Sequence, residues 1–270
     1  MAGRPSAAAP PVGLCLGGLD PSAGAGLLRD VMTLAALGVQ PMAVCTADTV
    51  QNGEACAAIR PPGDPLPCLE ALAPHLAPPQ RWGVKLGLCC LDEGNLAALA
   101  ARVASLSPAA RIWDPILAPT SGVGLHSAAG LRSMASVLLA MGGWVVCPNL
   151  PEAAALAGTG PGAGPADLAR PLLDLGATAV WIKGGHGLGP EVEDFWITRS
   201  EILSLGRNPR LPGERRGTGC TLASAWLAWR LLGRTGPEAA LAAARFLRER
   251  WDPPVRPGGF GRPCFAPGAP

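Results

Sequence analysis

Five residues, Gly217-Thr218-Gly219-Cys220-Thr221, stand directly before an apolar, helix-periodic run from Leu222 to Leu232. A Gly-Thr-Gly turn bares backbone N–H groups at the point where a helix leaves its first N–H groups unpaired. The positive end of the helix dipole adds to them, and the combination is a seat for an anion. Cys220 would stand in that field, which favours its thiolate. A thiol brought down from roughly 8.5 to about 7 is half ionised at neutral pH. A phosphate cradle with a reactive side chain inside it is what phosphoryl transfer requires. The same five residues read equally well as a Gly-rich turn with a buried cysteine.

Other groups capable of chemistry fall at predicted strand ends. Gly17-Gly18-Leu19-Asp20-Pro21-Ser22-Ala23-Gly24-Ala25-Gly26 leads into a helix that carries Asp30. Its small residues would let a ligand reach the backbone. The G-x-G-x-x-G of a dinucleotide fold is absent there. After the second strand, Gln51 and Asn52 offer amide donors and acceptors suited to a neutral heterocycle, or form an ordinary polar loop. In Cys147-Pro148-Asn149-Leu150-Pro151-Glu152 the Asn149/Glu152 spacing makes a capping box. Alternatively, Glu152 holds a Mg²⁺–phosphate unit through water. Lys183-Gly184-Gly185-His186 is a tight turn with a surface lysine, or a lysine placed beside nucleotide phosphates. Asp114-Pro115 adds one more acid, for a metal or for a turn. Lys85 and Lys183 are the only lysines among 22 basic residues. A lysine that persists in so arginine-rich a chain suggests a place where a compact point charge is needed.

The elements that must position these groups alternate strand and helix. Strands are predicted at Val12–Gly17, Pro41–Thr46, Trp82–Gly87, Arg111–Asp114, Trp144–Cys147 and Thr178–Lys183. Helices are predicted at Gly26–Leu37, Leu66–Leu76, Glu93–Ser105, Ser127–Met141, Pro151–Ala157, Pro165–Leu175, Thr221–Leu232 and Pro237–Arg250. Continuous apolar strands alternating with helices imply a mainly parallel sheet covered on both faces, with right-handed crossovers. Sites in such sheets lie beyond the C-terminal strand ends, where the polar motifs cluster. Residues 1–11 and 252–270 are Pro- and Gly-rich and are expected to be loosely ordered tails, leaving one domain over 12–251.

Composition narrows the class. The chain is 49% hydrophobic and 16% charged, with net charge +2 and no basic stripe, which argues against a nucleic-acid surface. Nine scattered cysteines, most in strand-like runs, read as reduced usage with no disulfide framework, and no zinc spacing accompanies Cys89-Cys90. No run reaches membrane-spanning length and Met1–Pro11 carries no signal-peptide segment, so a soluble cytoplasmic protein is expected.

Taken in order, the motifs resemble the hydroxymethylpyrimidine/phosphomethylpyrimidine kinase family of thiamine biosynthesis, within the ribokinase-like superfamily. The resemblance rests on G-x-D-P-S-x-G-A-G at Gly18–Gly26, A-L-G at Ala36–Gly38, T-A…Q-N at Thr46–Asn52 and K-x-G at Lys85–Gly87. It continues through D-P at Asp114, P-N-L-P-E-A-A at Pro148–Ala154, K-G-G-H at Lys183–His186 and G-T-G-C-T-L at Gly217–Leu222. It implies a three-layer α/β/α kinase that uses ATP and Mg²⁺ on a small aminopyrimidine and assembles as a homodimer. By the same resemblance Asp30 and Gln51 hydrogen-bond the aminopyrimidine, with Ala25 and Leu88 packed on the ring. Gly217, Thr218, Gly219 and Cys220 form the catalytic cradle, with Cys220 as base or proton relay. Lys183, Gly185 and Thr218 attend ATP, and Glu152, Asn149 and Asp114 organise the metal.

Three departures stand out. Relatives usually have Gln and Lys flanking the helix acid, where this chain has Leu28-Arg29-Asp30-Val31-Met32. Leu88 replaces the usual Met, and Arg215-Arg216 stands where many members have His. A pyridoxal kinase of the same superfamily is the alternative within the enzyme class. A pyrimidine-binding sensor without turnover is the alternative outside it.

Overall fold

The computed structural model describes residues 9–117, 126–160, 162–187 and 189–266. Its centre is a nine-stranded sheet in the order β3-β2-β1-β4-β5-β6-β7-β8-β9. The six parallel strands are β1 (Val12–Leu19), β2 (Gln40–Gln51), β4 (Trp82–Leu86), β5 (Ala110–Trp113), β6 (Trp144–Val146) and β7 (Ala179–Ile182). Antiparallel strands close the edges: β3 (Cys56–Arg60) on one side, and β8 (Glu191–Ile197) with β9 (Ile202–Pro209) on the other.

These edge strands escape a reading based on apolar runs. β3 is five residues with a weak pattern, and β8 begins Glu-Val-Glu-Asp. Strands with one wet face alternate instead of running apolar.

All eight predicted helices are present within a few residues of their predicted limits: α1 (Gly26–Ala36), α2 (Leu66–Leu76), α3 (Glu93–Ser105), α4 (Ala128–Ala140), α5 (Leu150–Ala157), α6 (Pro165–Asp174), α7 (Thr218–Leu231) and α8 (Gly236–Glu249). The pleat of each strand sends alternate side chains to opposite faces. Accordingly Trp113, Val180 and Ile182 join one core with α2 to α6. Ile112, Ala179 and Trp181 join a second core with α1, α7 and α8. The result is a three-layer α/β/α sandwich. Trp113, Trp144, Trp181 and Trp226 anchor it, each almost fully buried.

Two differences from the sequence reading bear on function. α7 begins at Thr218 and not at Thr221, so the glycine turn is itself the helix's cap and first turn. The segment after Asp252, expected to be loose, stays largely exposed as far as Phe260, but its end over 261–266 packs back on the domain. Cys264 and Phe265 are 3% and 2% exposed, Cys264 bridges both Val255 and Arg216, and the Phe265 ring meets Trp251 edge-on. Cys264 and Phe265 are the buried anchors of this end. Residues 1–8 and 267–270, the ends of the expected tails, lie outside the described residues.

Candidate active site

The strand order fixes where the site must be. β1 is followed by α1 on one face, while its neighbour β4 is followed by α3 on the other. The crevice between their C-terminal ends is a topological switch point, the usual ligand position in an open parallel sheet. A cleft of about 1160 Å³ opens there. Gly18, Ala25, Asp30, Gln51 and Leu88 line it at the inner end. Asp114, Asn149, Glu152, Lys183, Gly185 and the Gly217–Cys220 turn line it further along. Every residue to which the family resemblance gives a role therefore lines one cavity.

The α7 terminus is built by one unusual backbone angle. Gly217 caps the helix in the left-handed region (φ 78°), where a side chain is strained. A Cβ on it would stand 2.3 Å from the Gly24 carbonyl oxygen. The first helical bond runs from Thr221 N–H to Gly217 O at 2.8 Å, so the N–H groups of Thr218, Gly219 and Cys220 have no intrahelical acceptor. Opposite them lies a buried pair: Lys183 Nζ donates to Asp114 Oδ1 at 2.6 Å. A Cβ on Gly219 would be 3.1 Å from Asp114 Oδ2 and 3.5 Å from Lys183 Nζ. Glycine is what lets the cradle close on this pair. Burial alone would push the Lys183 ammonium down, but Asp114 beside it holds it above its ordinary value.

The inner floor carries a second buried pair. Lys85 Nζ donates to Asp30 Oδ2 at 2.6 Å, and Ser224 Oγ donates to Asp30 Oδ1 at 2.8 Å. Lys85 and Asp30 are 1% and 0% exposed. The acid expected to wait for a ligand is thus half of an ion pair, although lone pairs remain on its oxygens. Desolvation disfavours the Lys85 charge, and Asp30 more than offsets it, so the lysine stays cationic. The two lysines marked out by composition are both buried cations lining the cleft. Ser224 was missed, though its place one turn after Cys220 on α7 was a readable signal.

Cys220 does not behave as expected. Burial pushes its thiol up to about 11; Lys85 and the Gly26 N–H pull it down, while Asp30 and Asp114 push it further up. It rests as a thiol, because the side chain is 7% exposed and two acids oppose the helix terminus. The expectation of a thiolate near neutral pH is corrected.

At the β6–α5 junction the capping box is real. Asn149 Oδ1 accepts from Glu152 N–H at 2.9 Å, and Glu152 Oε2 accepts from Asn149 N–H at 2.8 Å. The Asn149 side-chain oxygen, expected to help hold a metal, is therefore engaged in capping. Burial pushes Glu152 up to about 7, with Lys183 pulling down and Asp114 pushing up. Asn52 is a turn residue, its side-chain oxygen accepting from Glu54 and Ala55 N–H. Among the described residues no three His, Cys, Asp or Glu side chains gather as a metal cluster. The oxygen donors of Asp114 and Glu152 suit a hard cation that keeps water and phosphate oxygens as its other ligands, which is the habit of Mg²⁺.

The architecture matches known small-molecule kinases. Over 97% of this chain and 94% of the other, it superposes with a TM-score of 0.81 and 24% identity on pyridoxal kinase of Staphylococcus aureus in complex with AMP-PCP and pyridoxal. Phosphomethylpyrimidine kinase from Clostridium difficile gives a TM-score of 0.72 at 26% identity, over 88% and 98% of the two chains. Fold and cleft together define a ribokinase-like kinase. Residues 20–263 match the family model for phosphomethylpyrimidine kinase. The hydroxymethylpyrimidine/phosphomethylpyrimidine kinase of Rhizobium meliloti is 31% identical over 241 residues, 87% of this chain and 88% of that one. The chain belongs to the phosphomethylpyrimidine kinase family.

Proposed function

We propose that the protein transfers the γ-phosphoryl group of ATP, with Mg²⁺, to 4-amino-5-hydroxymethyl-2-methylpyrimidine and/or its monophosphate, leading to the diphosphate used in thiamine biosynthesis. The observation that carries this reading is the meeting of the α7 cradle with the Lys183–Asp114 pair beside Cys220. Gln51 and the spare lone pairs of Asp30 would take the polar edge of the aminopyrimidine, while Ala25 and Leu88 bound its faces. The N–H groups of Thr218, Gly219 and Cys220 would hold charge developing on the transferred group. Lys183 and the Gly185 turn would meet the ATP phosphates. Asp114 and Glu152 would hold Mg²⁺, with Asn149 positioning Glu152. The ion, when bound, neutralises charge on the phosphate oxygens.

A resting thiol makes Cys220 a relay. Its Sγ takes the alcohol proton as its S–H is passed to a phosphoryl oxygen. Phosphoryl transfer develops little need for a strong base, so positioning dominates. Cys220→Ala is expected to lower kcat tenfold or more, about 1.4 kcal/mol or above, with pyrimidine binding retained. Turnover and equilibrium binding measured side by side check this; unchanged kcat would remove Cys220 from the reaction.

Metal binding needs the Glu152 carboxylate. With its proton affinity raised to about 7, the Mg²⁺ concentration for half-maximal rate should climb as pH falls below that value. Glu152→Gln should raise the requirement at every pH and flatten its pH dependence. A variant with wild-type metal dependence would return Glu152 to capping alone. Homodimeric assembly and a cytoplasmic setting belong to the same reading, and sedimentation of the purified chain tests the first.

A further inference from the structure

The β1–α1 loop and the α7 terminus come from opposite ends of the chain, yet their relative position sets where a substrate alcohol meets the phosphate cradle. The Arg216 side chain ties them together. Arg216 Nη2 donates to Asp20 Oδ2 at 2.8 Å, and its Nη1 donates to Ser22 Oγ at 2.9 Å. Asp20 also accepts from Ala25 N–H on Oδ2, and from Ser22 N–H and Ser22 Oγ on Oδ1, at 2.7–2.9 Å. An ionised carboxylate has about four lone-pair sites, and here all are filled. Asp20 and Arg216 are 0% and 4% exposed. The fit is tight: a Cβ on Gly24 would lie 2.6 Å from Arg216 Nη1. From the other side, Arg216 N–H donates to Pro263 O at 2.9 Å and the residue bridges Cys264. The packed C-terminal segment therefore aims the guanidinium into the loop.

We propose that Arg216, through Asp20 and Ser22, is a positioning residue that locks the substrate loop Asp20–Gly26 to the phosphate cradle. This deepens the kinase reading and rests on it for its catalytic consequence. The planar fork matters: it spans two acceptors at once, which a lysine ammonium on its single point charge does less well. Misplacing reacting groups by about 1 Å costs on the order of 10²-fold in rate, so a loosened loop should show in kcat.

Arg216→Lys tests this, because it keeps a buried cation against Asp20. We expect a melting temperature close to wild type. Amide exchange at Ser22 to Gly26 should quicken about tenfold. The same variant should lose about tenfold in kcat while its affinity for Mg·ATP stays within about twofold. Ser22→Ala, which removes the Nη1 contact and the Ser22 Oγ–Asp20 Oδ1 bond but leaves the Arg216–Asp20 ion pair, should move exchange and kcat in the same direction and less far. Wild-type exchange over Ser22–Gly26 in both variants would overturn the lock, as would a kcat loss in Arg216→Lys without any change in exchange. The exchange measurement needs no substrate, so it decides the lock even if the unaltered protein turns over none of the pyrimidines.

Discussion

Gly217→Ala is expected to abolish most turnover, by roughly 10²–10³-fold, while leaving a folded protein. The size follows from what removal of a single anion-holding N–H donor does at comparable sites. The cause is steric and local. Gly217 sits at φ 78°, where an L side chain is strained, and its new Cβ would stand 2.3 Å from Gly24 O. The turn would have to swing, carrying the free N–H groups of Thr218, Gly219 and Cys220 away from Asp114 and Lys183. Because the change falls at the cap of one helix, circular dichroism should change little. Single-turnover rates at saturating ATP would measure the loss. A kcat within a few-fold of wild type would show that the turn is a helix cap and nothing more.

The largest stability effect should come from Lys85→Met. Methionine fills similar volume but leaves Asp30 buried without its cation, with only Ser224 still donating. Breaking a buried pair from one side costs about 3–5 kcal/mol. For a chain of this size that is a fall of roughly 10 °C in Tm. The pH dependence has a definite sign. Burial already raises the proton affinity of Asp30 against the opposing pull of Lys85, so removing the lysine raises it further. A carboxyl whose folded-state pKa lies above its unfolded value loses stability as pH rises, and regains it on acidification. The Tm gap between variant and wild type should therefore narrow from pH 8 to pH 5. Adding Asp30→Asn to Lys85→Met should recover much of the loss at neutral pH. A single variant as stable as wild type at pH 8 would mean that the pair contributes nothing to folding.

How much of this could be read from the chain depended on what each residue's partners were. The sandwich was legible because buried parallel strands are unbroken apolar runs, whereas β3 is short with a weak pattern and β8 and β9 carry polar residues among their apolar ones. The glycine turn with its unpaired N–H groups was legible because glycine, backbone N–H and a following helix are adjacent in sequence. The capping box at Asn149–Glu152 was legible for the same reason. The pairs Lys85–Asp30 and Arg216–Asp20 were not, since they join residues 55 and 196 positions apart. Their members stood out only by type: a rare lysine, and an arginine where relatives have histidine. Cys220 shows the opposite failure. Its sequence neighbours favour a thiolate, but burial by the packed fold overrules them, and Asp30 and Asp114, brought in from distant parts of the chain, add to it.

The most direct test is of the reaction itself. ADP release from Mg·ATP should be followed with hydroxymethylpyrimidine, its monophosphate and pyridoxal offered in parallel, and the products identified by mass. A pyrimidine kinase built on this cleft should turn over one or both pyrimidines. Turnover of pyridoxal alone, or silence on all three with the pyrimidine still bound, would contradict that assignment.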